Sequence, residues 1–136
     1  MTKFVPLPVV DSFFKAYVEC ALWSSTGDDG QPLDKRFSID NIEPATLAKM
    51  QTDCLAFYTE FNLGELPDSE QRRAGHDFWL TRNGHGSGFW DGDWNEPQAS
   101  LMTIASHHAG NFDLYQCDDE SVLAGTPLNN PEQKDN

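Results

Sequence analysis

The stretch His76–Asp91, HDFWLTRNGHGSGFWD, decides which fold is read from this chain. Its sixteen residues hold Phe78, Trp79, Phe89 and Trp90, two histidines, Arg82, two aspartates and three glycines. Phe78, Leu80 and Arg82 alternate with Trp79, Thr81 and Asn83, a period of two in residue types that favour strands. Asn83-Gly84-His85-Gly86 then supplies turn chemistry, because glycine reaches positive φ without a Cβ clash. The pattern predicts a β-hairpin with Ser87–Trp90 as its second strand.

Outward from that stretch the periodicity becomes helical. Val10, Phe13, Phe14, Tyr17, Val18 and Ala21 recur at i, i+3, i+4, i+7 spacing, and Asp11 or Ser12 can cap, which predicts a helix over 11–24. The Gly, Pro, Asp and Ser content of Ser25–Asn41 predicts a long loop around Leu33 and Phe37, with one short element. Pro44 suits the first turn of a second helix, whose apolar stripe is Leu47, Met50, Cys54, Phe57, Tyr58 and Phe61, with Gly64 as the stop. Pro67–Gly75 reads as a short capped helix, with Asp68 or Ser69 at its start and Gly75 as terminator.

Beyond the expected hairpin, Pro97 opens another helix whose core stripe reads as Leu101, Ile104, Ala105 and His108, ended by Gly110. Phe112–Cys117 reads as a strand, and Val122 and Leu123 as part of a weak final one. The expected class is therefore α+β, two to three helices on a small antiparallel sheet, in the order α-α-α-β-β-α-β. One globular domain over 1–126 and a flexible tail over 127–136 are expected, a length sufficient to bury one core.

Charge narrows the function. Against 22 acidic residues stand nine Lys and Arg, a net of −13. From Asn83 through Gln133 there is no Lys or Arg, while Asp91, Asp93, Glu96, Asp113, Asp118, Asp119, Glu120 and Glu132 are all acidic. Such a field repels phosphate backbones and anionic membranes, so direct binding to nucleic acid or a membrane is not expected. No run approaches the roughly 20 apolar residues of a membrane span. Nor does Met1–Pro8 carry a signal peptide's apolar centre, so the expected location is cytoplasmic. Cys20, Cys54 and Cys117, an odd set at wide spacing, read as reduced thiols rather than a disulfide framework.

The run AGHDFWLTRNGHGSGFWD (residues 74–91), followed by a helix and FDLY, resembles a segment recurring in small acidic proteins of bacteriophages and other mobile elements, mostly of unassigned function. The likeness spans roughly residues 42–117. It implies a bacterial host cytoplasm and the kind of accessory protein that inhibits host defence, anti-CRISPR or anti-restriction, some of which imitate DNA. It brings no catalytic residues.

Chemistry in the residues themselves is sparse. Asp77, His85, Asp91, Asp93, His107 and His108 have the ligand types for a divalent metal, but no zinc or calcium spacing. A small metal-dependent hydrolase on Asp77, His85, Asp91 and Asp93 is the alternative to a binding protein. Gly86-Ser87-Gly88 is not a nucleophile elbow, and the Gly84, Gly86, Gly88 spacing lacks the Lys of a phosphate loop. No catalytic residue and no cofactor is assigned.

The expected function is a non-enzymatic protein that binds and inhibits a basic or nucleic-acid-handling host protein, with nucleic-acid mimicry as one route. Its expected contact residues are Arg82, His85, Trp90, Asp91, Asp93, Trp94, Glu96, Asp118, Asp119 and Glu120. Tryptophan beside arginine is the composition of an interface hot spot, and the acids supply complementarity to a basic partner.

Overall fold

Phe78, Trp79, Leu80, Thr81 and Arg82 lie at the C-terminal end of a helix, and every one of them is buried. The computed structural model describes residues 11–26, 30–84, 89, 94–117 and 123–127. Helix α1 is Asp11–Ser24, α2 is Pro44–Glu60, α3 is Asp68–Arg82 and α4 is Gln98–Ala109. Strands β1 (Phe112–Gln116) and β2 (Leu123–Pro127) follow. The class is α+β, four helices packed against a two-stranded antiparallel sheet.

The order differs from expectation at the aromatic stretch. The helix expected to stop at Gly75 continues for two more turns, so the first strand of the predicted hairpin does not form. Its apparent alternation has no two-faced meaning, because residues of both parities are buried, and a segment buried all round suits a helix as well as a strand. Of the expected second strand only Phe89, fully buried, is described; His85–Gly88 and Trp90–Asp93 lie outside the described residues. The two strands that do form come after α4.

Gly75 continues the helix because α1 crosses there. A Cβ at this position would stand 2.1 Å from the backbone oxygen of Phe13, so only glycine permits the approach. Ser12 donates a hydrogen bond from its hydroxyl to Asp68 at the other end of the contact. Helix α1 is buried along most of its surface, leaving Lys15, Glu19 and Trp23 outward at i, i+4, i+8.

Between α1, α2 and α3 sits an aromatic core. Phe57 stacks on Phe78 with ring centroids 4.3 Å apart and on Phe89 at 5.5 Å, while Tyr17 meets Trp79 edge-on at 5.4 Å. Such pairs add about 0.5–1.5 kcal/mol each beyond their burial. In the long loop, Leu33 and Phe37 are buried as anchors, each beside one of two short 3₁₀ turns, Leu33–Lys35 and Ile39–Asn41.

The sheet packs on the same core, where the Phe112 ring meets Trp79 of α3 edge-on at 6.1 Å. Phe112 pairs with Pro127, Leu114 with Gly125 and Gln116 with Leu123, and the alternation puts Phe112 and Leu114 inward. The Glu43 amide donates to the Leu123 carbonyl at 2.8 Å, and that of Gly125 to the Thr46 hydroxyl at 3.1 Å, fixing β2 to the start of α2. Pro127, expected as the first residue of a tail, ends β2. Cys20 and Cys54 are buried and Cys117 half-buried, all three free thiols. Among the described residues no helix is long and apolar enough to cross a membrane.

Candidate functional site

Helix α4, QASLMTIASHHA, contains no Asp, Glu, Lys or Arg, and it carries apolar residues on two faces. The face turned to the core consists of Ala99, Met102 and Ser106, at i, i+3, i+7. The Ser106 hydroxyl donates to the Met102 carbonyl at 2.8 Å, so its polarity is satisfied within the helix. Of the stripe expected to face the core, Leu101, Ile104 and His108 turn outward, while Ala105 is half-buried and packs against the core. Leu101 is 49% and Ile104 57% exposed. The inward face thus combines two small side chains, Ala99 and Ser106, with one long one, Met102.

Two hollows flank that outward stripe. A furrow of about 690 Å³ runs between α4 and the end of α2, lined by Glu60, Phe61, Asn62, Gln98, Leu101, Ile104, Ala105 and His108. Across the ridge formed by Ile104, a second hollow of about 500 Å³ is lined by Phe89, Trp94, Glu96, Ala99, Ser100 and Thr103. Exposed apolar side chains bordered by acids on a helix without charge form a surface suited to a partner rather than to solvent.

The residues singled out by sequence take part mostly by holding α4 in place. Arg82 is only 2% exposed and touches no solvent-facing surface, which corrects its expected role at the partner interface. Its Nε donates to the Gly110 carbonyl at 2.6 Å and its Nη2 to the Ala109 carbonyl at 2.8 Å, satisfying the end of α4. Nη1 donates to the Tyr17 hydroxyl and to Asp53 Oδ2, both at 2.9 Å. The guanidinium also lies 5.5 Å from the Phe78 ring centroid and 5.3 Å from that of Phe112. Burial works against the charge, yet Tyr17 and Asp53 outweigh it and hold the Arg82 pKa above its ordinary value. Burial in turn pushes the Tyr17 hydroxyl and the Cys54 thiol well up, and the Cys20 thiol up to about 12.

Trp94 supports the other end of the helix. Its Nε1 donates to Asp77 Oδ2 at 2.8 Å and its ring meets Phe89 edge-on at 5.6 Å, leaving it half-buried as a wall of the second hollow. Glu96 is exposed and accepts the Ser100 amide at 3.2 Å, placing a negative charge at the positive end of the α4 dipole. Of the three expected contact residues that are described, Arg82, Trp94 and Glu96, it is the exposed one. His85, Trp90, Asp91, Asp93, Asp118, Asp119 and Glu120 lie outside the described residues.

Of the four residues nominated for a metal site, only Asp77 is described, and it is a buried acceptor for Trp94. Among the described residues no group of three or more His, Cys, Asp or Glu is arranged to hold a metal ion. Leu101 and Ile104 escaped sequence reading because periodicity identifies apolar faces but not which of two is inward. The signal available was α4's pairing of small residues with Met102 on one side and larger aliphatics on the other. Comparison with protein-family models, curated proteins and solved structures yields no match for this chain.

Proposed function

We propose that this chain is a non-enzymatic binding protein whose partner-contacting surface is the outward face of α4. The observation carrying the reading is the exposure of Leu101 and Ile104 beside Glu60 and Glu96, in a chain of net charge −13. That charge favours a basic partner. Together with the sequence resemblance, it points to an accessory protein of a bacteriophage or other mobile element, acting in the bacterial cytoplasm. Its target would be a host defence or nucleic-acid-handling protein, of the sort opposed by anti-CRISPR and anti-restriction proteins. The same charge disfavours direct contact with nucleic acid. Nucleic-acid mimicry is one route to that inhibition, resting on the acids Asp91, Asp93, Glu96, Asp113, Asp118, Asp119, Glu120 and Glu132.

Covering the exposed halves of Leu101 and Ile104 is worth about 1 kcal/mol each, so removing both apolar side chains weakens binding by roughly 30-fold. The test is affinity capture from bacterial lysate with the wild-type protein and with L101S/I104S, which have the same charge. Captured basic proteins should be retained at low salt, depleted by about 0.3 M salt and lost with the double substitution. Equal capture by both proteins would remove α4 from the interface, and capture of no basic protein at low salt would remove the proposed partner class.

A further inference from the structure

Resting on that reading of the α4 surface, we infer that the furrow between α2 and α4 receives a cationic amphipathic helix of the partner. Shape supplies the first argument. Gln98, Leu101, Ile104 and His108 follow one side of α4 along the furrow, and at 1.5 Å per residue the ten steps from Gln98 to His108 span about 15 Å. Roughly three turns of a partner helix cover that length, presenting apolar side chains at i, i+3, i+4 and i+7 to Phe61, Leu101 and Ile104.

Backbone chemistry supplies the second. One wall of the furrow is α4 and the other is Glu60, the last residue of α2, with the turn Phe61–Asn62 that follows it, so neither offers a free strand edge. An extended segment laid there would have its amides and carbonyls covered without partners, whereas a helix brings its backbone already bonded. Charge decides which helix. The furrow's lining includes the exposed carboxylate of Glu60 and no Lys or Arg, and Glu96 stands at the rim of the adjoining hollow. Lys or Arg flanking the partner's apolar stripe meets these acids within the field of a chain that lacks basic residues from Asn83 through Gln133. A second copy of this chain is the wrong occupant, since it brings another net −13 to the contact.

The probe is a synthetic helical peptide of about 14 residues with leucines at i, i+3, i+4 and i+7 spacing and lysines between them. It is titrated by fluorescence anisotropy against the full-length chain. A peptide of identical composition with the leucine spacing scrambled separates shape from charge. Saturable one-to-one binding is expected, weakened tenfold or more by scrambling and by L101S/I104S and about fivefold by the milder I104S. Circular dichroism of each variant checks that the helices persist, and I104S serves as the probe should the double variant not fold.

Equal affinity for the patterned and scrambled peptides, or unchanged affinity in the variants, overturns the helical occupant, because charge alone would then explain binding. Absence of any peptide binding while lysate capture still depends on Leu101 and Ile104 overturns the inference and leaves the α4 interface standing. Sedimentation showing a dimer that L101S/I104S dissociates replaces the partner helix with a second copy and overturns both.

Discussion

Arg82 donates to two carbonyls at the end of α4, to the Tyr17 hydroxyl on α1 and to the Asp53 carboxylate on α2, while itself ending α3. One side chain thus joins all four helices. Arg82→Met leaves those acceptors without their donor in a buried setting and should cost about 3–5 kcal/mol, read as a fall in the urea midpoint. Arg82→Lys should recover little of it, because a single ammonium cannot address acceptors spread around a planar fork. A midpoint within error of wild type for Arg82→Met would show that the network is not what fixes α4. The buried Cys20 thiol gives a second prediction at this scale. Its pKa is raised by burial from 9.0 to about 12, so folding favours the protonated form. That contribution is complete below the unfolded value and is lost as pH rises from about 9 towards about 12. The urea midpoint should fall between pH 8 and pH 10.5, with a smaller fall in Cys20→Ala; a loss of the same size in Cys20→Ala would assign it to other groups.

Among the elements, α3 shows where local rules yield to packing. Gly75→Ala exchanges a poor helix former for the best, worth about 1 kcal/mol in favour of the variant on propensity alone. Because the new Cβ would stand 2.1 Å from the Phe13 oxygen, the substitution should instead destabilise by about 2 kcal/mol or more, seen as a lower melting temperature. An unchanged or raised melting temperature would mean that the crossing of α1 and α3 is looser than described. The same close approach explains why Gly75 misled as a helix terminator: sequence records a missing side chain but not the backbone that occupies its place. Helices α1 and α2 were legible in advance because Phe13 and Tyr17, and Met50 and Phe57, recur at helical spacing, and β1 because Phe112 and Leu114 alternate with Asp113 and Tyr115. Segment 76–82 was not, since its short apolar run Phe78–Leu80 is buried equally well by helix and strand. The outward face of α4 was legible as apolar but not as exposed, so the candidate site lies on the very face that periodicity assigned to the core.

At the scale of the whole molecule, a dense aromatic core coexists with a net charge of −13, and among the described residues large apolar side chains emerge from that field on α4, at Trp23 of α1 and at Tyr115 of β1, with α4 alone presenting two together. Long-range attraction to a basic partner and short-range burial of Leu101 and Ile104 then contribute differently. Raising salt should slow association far more than it speeds dissociation, whereas L101S/I104S should mainly speed dissociation, a division that stopped-flow or surface-binding kinetics resolves. If salt and the double substitution acted on the same rate, the two contributions would not be separable as described. The most direct measurement of the central claim is amide hydrogen exchange of this chain free and bound to the protein it captures. The account predicts added protection concentrated in Gln98–Ala109 and at the end of α2 through Asn62. Protection confined to the surface around Trp23 and His76, with α4 exchanging as it does in the free protein, would contradict it.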